Sequence, residues 1–312
     1  MAILAIISPA AGRHSGARIW DWVRARVEHA RKWECVTSER PGHARELATG
    51  AVARYERVIA VGGDGTVCEV ANGLAHSQTP LGIIPVGTAN DLSHNLGIPH
   101  DPAAAAALAA TGVARPIDLG EIHTSRSTRY FVNVAGFGFD AEVAARVNRM
   151  PKVIGGTMPY IAGVLQTLRQ YDSPRMRIGI DGQVIERAVF LVAVGNCASY
   201  GGGMRITPHA RPDDGLLDVC LVKDLSRLEV LRLVPKLYSG GHVGHPAVEL
   251  FRCRAVIADA DRSVLCQADG EPVGELPAQF GIRPGALRCV TGPVPSSPSA
   301  PMRLARGPAD LR

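Results

Sequence analysis

Hydrophobic positions change their rhythm about a third of the way along this chain. Up to about residue 115, short unbroken apolar runs alternate with stretches of helical periodicity. Residues 2–7 (AILAII) end at Ser8-Pro9-Ala10-Ala11-Gly12, the pattern of a parallel strand buried on both faces that runs into a loop. Ile19, Trp20, Val23 and Val27 then recur at helical spacing, with Arg18, Arg24, Arg26 and Arg31 mostly on other faces. Residues 44–55 predict a second helix that leads into a strand over 57–61. Gly62-Gly63-Asp64-Gly65-Thr66 follows, then a helix to about residue 75 and a strand over 81–84. Asp101 before Pro102 and an alanine run predicts a helix start, with Asp as N-cap and Pro at the first helical position. Such alternation predicts a doubly wound, mostly parallel α/β sheet.

Beyond residue 115 the runs become shorter or alternating and are separated by turn residues. They cover 130–134, 176–180, 189–194, 216–222, 248–258, 264–268 and 286–290, with helical stretches at 160–171 and 225–238. This half reads as a β-rich, sandwich-like domain. The expected organisation is an α/β domain over 1–122, a β-rich domain over 123–292, and a Pro/Ser/Ala-rich tail over 293–312 that is poorly ordered.

Composition narrows the class. The 312 residues are 46% hydrophobic and 20% charged, enough to build about two packed domains and too apolar for a disordered chain. No apolar run reaches the 18 or so residues of a membrane span, and the first apolar run is too short for a secretory signal. A soluble, cytoplasmic protein is expected. The net charge of +5 (34 basic against 29 acidic residues) suits an anionic ligand or membrane surface. The seven cysteines are scattered without a C-x-x-C pair, so they read as small core residues and not as zinc ligands or a disulfide framework. His242 and His245 lie in glycine-rich loop composition, with no helix to set them on one face.

Candidate chemistry centres on the glycines. Three of them within four residues, between a buried strand and a helix, allow close approach of a ligand to the backbone. The N–H groups at the helix start attract phosphate. Thr66 and Glu69 have capping-box spacing, which accounts for those two but not for Asp64. A carboxylate among glycines at a phosphate site is useful when a divalent cation accompanies the phosphates.

The segment GGDGT-x-x-E-V-x-N-G-L, residues 62–74, resembles the catalytic domain of the diacylglycerol kinase family, which includes sphingosine, ceramide and bacterial lipid kinases. Four further segments match it in order: IPVGTANDL (84–92), FVNVAGFGFD (131–140), DDGLLD (213–218) and ADGE (268–271). The resemblance implies a nucleotide site for ATP formed by Ser8, Pro9, Ala10, Ala11 and Gly12 (Ser8 standing where the family has Asn), by Ser38, by Gly63, Asp64, Gly65, Thr66, Val67, Cys68 and Glu69, and by Thr88. Cys68 replaces a frequent Asn. The resemblance also implies a Mg²⁺ ion held by the Asp214 carboxylate and the carbonyls of Arg211 and Leu216, and a proton acceptor at Glu271 acting with Asp64. Without it, Pro212-Asp213-Asp214-Gly215 and Asp269-Gly270 are ordinary turns. The implied activity is ATP- and Mg²⁺-dependent phosphorylation of a hydroxyl on diacylglycerol or a related lipid. The alternatives are a small-molecule kinase like NAD kinase, which shares GGDGT, and a non-catalytic nucleotide- or lipid-binding protein of the same fold. The expected partner is a lipid at the inner membrane surface, contacted reversibly, with no nucleic acid; a homodimer stays open. The docking surface expected from the sequence is Arg146, Arg149, Lys152 and Arg169 flanking Val153, Ile154, Met158, Tyr160, Ile161, Val164 and Leu165.

Overall fold

In the computed structural model of the protein, residues 2–9, 11–14, 16–150 and 158–293 are described. The expected tail therefore lies outside the described residues, apart from Pro293. The chain divides into two units, Met1–Leu119 with Pro284–Ser296, and a second unit built on Gly120–Arg283.

The first unit contains β1 (Ile3–Ile7), α1 (Ala11–His14), α2 (Gly16–Arg26), β2 (Glu34–Thr37), α3 (His43–Ala51), β3 (Arg57–Gly62), α4 (Asp64–Leu74), β4 (Leu81–Pro85), α5 (Asp91–Asn95), α6 (Pro102–Thr111) and the start of β5 (Ala114–Thr124). Strands run parallel in the order β4-β3-β1-β2. Side chains alternate between the two faces of a strand. Ala5, Ile7, Ile59 and Val61 accordingly pack with Trp20 and Val23 of α2 and Ala106 and Ala109 of α6. The intervening Ile6, Val58 and Ala60 are equally buried, and α3 and α4 contact the same strands. A sheet covered on both faces needs unbroken apolar strands, and the sequence has them. Asp101 caps α6 as expected, its Oδ2 accepting from the Ala104 amide at 2.8 Å.

Register sets the position of the loops. Ile7 pairs with Thr37 and with Val61, and Val61 pairs with Ile84. The carboxyl ends of four parallel strands therefore form one row, and the segments after them leave from the same edge. Open α/β sheets bind ligands at that edge.

The second unit holds the rest of β5, then β6 (Thr128–Phe131), β7 (Val134–Gly138), α7 (Phe139–Arg149), α8 (Met158–Gln170), β8 (Arg175–Ile180), β9 (Gln183–Gly195), β10 (Leu217–Lys223), α9 (Arg227–Leu237), β11 (Val248–Cys253), β12 (Ala255–Ala260), β13 (Leu265–Ala268), β14 (Glu271–Glu275) and the first part of β15 (Ala278–Val290). One antiparallel sheet runs β14-β13-β7-β9-β10-β11, and a second runs β9-β8-β12-β15. The thirteen-residue β9 belongs to both. Phe137, Ile178, Val192, Val219, Val256 and Phe280 pack into one core between them. The arrangement is the expected sandwich. Helices α7, α8 and α9 contribute to a second apolar cluster with Phe190, Leu191 and Val222.

The sequence reading passes over α1, β2, α5, β5 and β14, and three further segments differ from it. The 130–134 run is broken at Val132 and Asn133, because the Asp269 carboxylate accepts from the amides of Val132, Asn133 and Val134 at 2.8, 2.8 and 3.2 Å. The 248–258 run is two strands, β11 and β12, parted at Arg254. Helix α7 was not expected from the sequence at all.

Candidate functional site

In the first unit, three loops meet backbone to backbone. A Cβ on Gly87 would lie 2.6 Å from the Cα of Gly63, and one on Gly12 would lie 2.4 Å from the Val86 carbonyl oxygen. Larger residues would push these loops apart. Asn90, at φ +52°, closes the β4–α5 turn by accepting from the Gly87 amide at 2.8 Å and donating to the Gly87 carbonyl at 2.9 Å. Asp64 begins α4 and accepts from the Leu92 amide at 3.3 Å, tying the two glycine loops together. Ser38 follows β2, and both its amide and its hydroxyl donate to the Ile7 carbonyl.

The sequence-derived residues thus gather on one edge of the sheet. Ser8 and Pro9 leave β1, Ala11 and Gly12 lie in α1, and Gly63, Asp64, Gly65 and Thr66 form the N-cap and first turn of α4. Thr88 is exposed in the Gly87–Asn90 turn; Ala10 lies outside the described residues. Val67 and Cys68 are buried in the core, so toward a ligand they offer backbone only. The Thr66–Glu69 capping box does not form, because α4 begins three residues before the expected start, with Gly63 as its N-cap. Glu69 instead caps α3. Its two carboxylate oxygens accept from the amides of Gly42 at 2.8 Å and Ala44 at 3.1 Å. It is a positioning residue that holds α3 beside the glycine loop.

In the second unit, Glu271 opens β14 on the exposed side of a two-residue turn in which Asp269 and Gly270 both have positive φ, 51° and 82°. Asp-Gly is the pair that such a hairpin turn prefers. Three side chains brace the turn. Asp269 holds the three amides at 132–134, Gln267 Oε1 accepts from the Gly270 amide at 2.8 Å, and Asn148 of α7 donates to the Gly270 carbonyl at 3.0 Å. The other end of Gln267 donates to Asp140 Oδ2 at 3.2 Å.

Asp140 is buried at the wall of an apolar cavity of about 80 Å³. Phe139, Phe190, Val164, Met204, Val230 and Leu237 are among its lining residues. Burial pushes the Asp140 carboxyl up to about 7, against the lowering effect of its bonds from Gln267 and the Ala141 amide. His242, buried in the same wall, donates from Nε2 to the Ile206 carbonyl at 3.0 Å, which fixes the proton on that nitrogen. The sequence signal for this cavity was the stripe Val230, Leu233, Val234 and Leu237 on one face of α9. Asp140 gave no signal beyond its place in the FVNVAGFGFD segment.

The Asp214 turn is already occupied by a cation. Arg252 bonds to Asp214 Oδ2 and, through Nε at 3.3 Å, to Asp218, while Asp214 Oδ1 accepts from the Leu216 amide at 3.1 Å. Burial and the neighbouring Asp214 push Asp218 up to about 6, and Arg252 opposes them. Among the described residues no three His, Cys, Asp or Glu side chains are grouped as a metal site. The set expected here is one carboxylate with two main-chain carbonyls, from Arg211 and Leu216. It is oxygen-only, as Mg²⁺ prefers, but an ion would have to share Asp214 with Arg252.

Comparison with known proteins agrees with this division. Residues 2–122 match the model of the diacylglycerol kinase catalytic domain, and residues 133–291 match the YegS C-terminal NAD kinase beta sandwich-like domain. A diacylglycerol kinase of Mycobacterium tuberculosis is 38% identical over 249 residues, covering 78% of this chain and 80% of the relative. A "probable lipid kinase YegS-like" protein of Pseudomonas aeruginosa is 34% identical over 274 residues, 85% and 87% of the two chains. The crystal structure of a "putative diacylglycerol kinase" from Bacillus anthracis str. Sterne superposes with a TM-score of 0.75 at 26% identity, over 94% of this chain and 97% of that one. With two matching domains in order and relatives this similar over most of its length, the chain belongs to the family of diacylglycerol kinases and YegS-like lipid kinases.

Proposed function

We propose that this protein is an ATP- and Mg²⁺-dependent kinase that phosphorylates a hydroxyl of diacylglycerol or a related lipid. The observation that carries the acceptor is the apolar cavity, whose buried Asp140 is linked through Gln267 to the turn that presents Glu271. Its apolar lining suits acyl chain, and its polar link leads to a carboxylate fit to receive a proton. On the nucleotide side, the amides at the start of α4 and the glycines around it would hold phosphates, with Asp64 fixed by Leu92. Glu271 would take the hydroxyl proton as the oxygen bonds to the γ-phosphorus; the bond from that phosphorus to the β,γ-bridging oxygen breaks, and ADP leaves. Magnesium bound with the nucleotide offsets charge on the phosphates, and Arg211, Asp214 and Leu216 would hold an ion in the second unit. The protein would work at the inner membrane surface from the cytoplasm. Among the described residues no helix is long and apolar enough to cross a membrane.

The test is incubation with labelled ATP and a panel of diacylglycerol, monoacylglycerol, sphingoid base, ceramide and phosphatidylglycerol. Wild type should label at least one lipid, and Glu271→Gln and Asp64→Ala should each lower the rate by about 10²-fold or more. ATP turnover independent of every lipid, or full activity in either variant with its fold intact, would reject the reading. The metal role has its own readout. Magnesium should raise the melting temperature of wild type but not of Asp214→Ala, and equal shifts in both would remove Asp214 from the site.

A further inference from the structure

Eight large hydrophobic side chains are exposed among the described residues, and three of them, Leu228, Leu231 and Tyr238, lie on α9 or at its C-cap. With the exposed Pro235 they recur at intervals of three, four and three residues, which is one stripe along a helix. Arg227 borders the stripe on one side; Arg232 and Lys236 border it on the other, all three exposed. The opposite side of α9, with Val230, Leu233, Val234 and Leu237, lines the apolar cavity. Helix α9 is therefore apolar on two faces, with cations along the edges of the outer one. Single exposed apolar residues need no explanation, but a row of four on one helix does. Acidic charge nearby is limited. Glu229 is engaged in the capping box, accepting from the Ser226 amide and hydroxyl, and Asp224 precedes the helix.

The surface expected from the sequence falls partly outside the described residues, the side chains of Met158, Tyr160 and Ile161 included. Val164 and Leu168 are buried and Leu165 is exposed, while Lys152, Val153 and Ile154 lie outside the described residues. We propose that the outer face of α9 docks the protein on an anionic lipid bilayer. Leu228, Leu231, Pro235 and Tyr238 enter the interface, and Arg227, Arg232 and Lys236 reach headgroup phosphates on their flexible stems. Charge complementarity selects this partner: three cations border the apolar row, and a tyrosine at its end is a side chain suited to the headgroup level. The inference goes beyond the kinase reading, since docking needs no turnover.

Co-sedimentation of the full chain with phosphatidylcholine vesicles, with and without phosphatidylglycerol, tests it. Wild type should bind the anionic vesicles and release as salt rises. Leu228→Ser with Leu231→Ser, and separately Arg227→Glu with Arg232→Glu, should each weaken binding by about tenfold or more. Val184→Ser with Ile257→Ser, at exposed apolar positions elsewhere in the unit, should not. All variants should melt like wild type and keep its turnover of a dispersed short-chain diacylglycerol. Wild-type binding by either α9 variant, an equal loss in the control, or a serine variant that changes only the oligomeric state would overturn the proposal. Failure of wild type to phosphorylate the dispersed acceptor would count against the kinase reading alone and leave the docking result standing.

Discussion

Asp140 places a carboxyl where the fold pays for its charge. Its oxygens accept from Gln267 and from the Ala141 amide, yet burial still raises its pKa from 3.8 to about 7. Between these two values the unfolded chain releases the proton and the folded chain keeps it, so stability falls as pH rises from about 4 to about 7. A shift of about three units corresponds to roughly 4 kcal/mol at most. Asp140→Asn removes this titration. Chemical denaturation of the two proteins at several pH values should show the stability difference, variant minus wild type, rising through that window. The absolute sign at any one pH also depends on the bond that Asn loses at Gln267. A flat difference from pH 4 to 7 would mean that Asp140 titrates normally. The same residue scale explains Glu69. Its spacing from Thr66 suggested a local cap, but no local signal could reveal two amides of α3, at residues 42 and 44, as its partners.

Elements form here where local chemistry and tertiary demand agree. The α6 start was legible because Asp101 and Pro102 act within four residues of sequence. The β6–β7 break was not, since it is imposed by a carboxylate more than 130 residues away. Helix α7 follows β7 through Gly138 at φ +98°, and its first residues, Phe139 and Asp140, face the cavity and the Gln267 bond; the sequence reading assigned no element to this segment. Asp269 therefore supports more than its own turn. Asp269→Ala should leave the amides of 132–134 without that acceptor and cost about 2–4 kcal/mol. Under the proposed mechanism it should also lower turnover by shifting Glu271. Denaturant melts and a parallel rate measurement check both. Asp269→Asn, which keeps one acceptor oxygen, should fall between the alanine variant and wild type. An alanine variant as stable as wild type would show that the turn holds without the clamp.

For the whole chain, the fold class and the strand-edge loops could be read from the sequence because parallel strands and glycine turns leave contiguous patterns. The cavity could not, since its lining comes from α7, α8, α9 and strands far apart in sequence. The cysteines follow the same logic in reverse. Their scatter carries no motif, and the structure buries six of the seven, Cys68, Cys197, Cys220, Cys253, Cys266 and Cys289, leaving Cys35 exposed. No disulfide joins any two of them. Burial pushes Cys220, Cys253, Cys266 and Cys289 up to about 12, far from the thiolate that reacts. Cys35 is raised too, by partial burial, but it remains the accessible one. A colorimetric thiol reagent at mildly alkaline pH should therefore label one cysteine per native chain quickly and all seven after denaturation. Peptide mapping should place the fast label on Cys35, and Cys35→Ser should abolish it. Because the six slow thiols are distributed over both units, their labelling rates report how each unit opens. Fast native labelling of Cys68, which starts no loop and sits inside α4, would mean that the glycine-loop helix is open in solution and that the packing described for it fails.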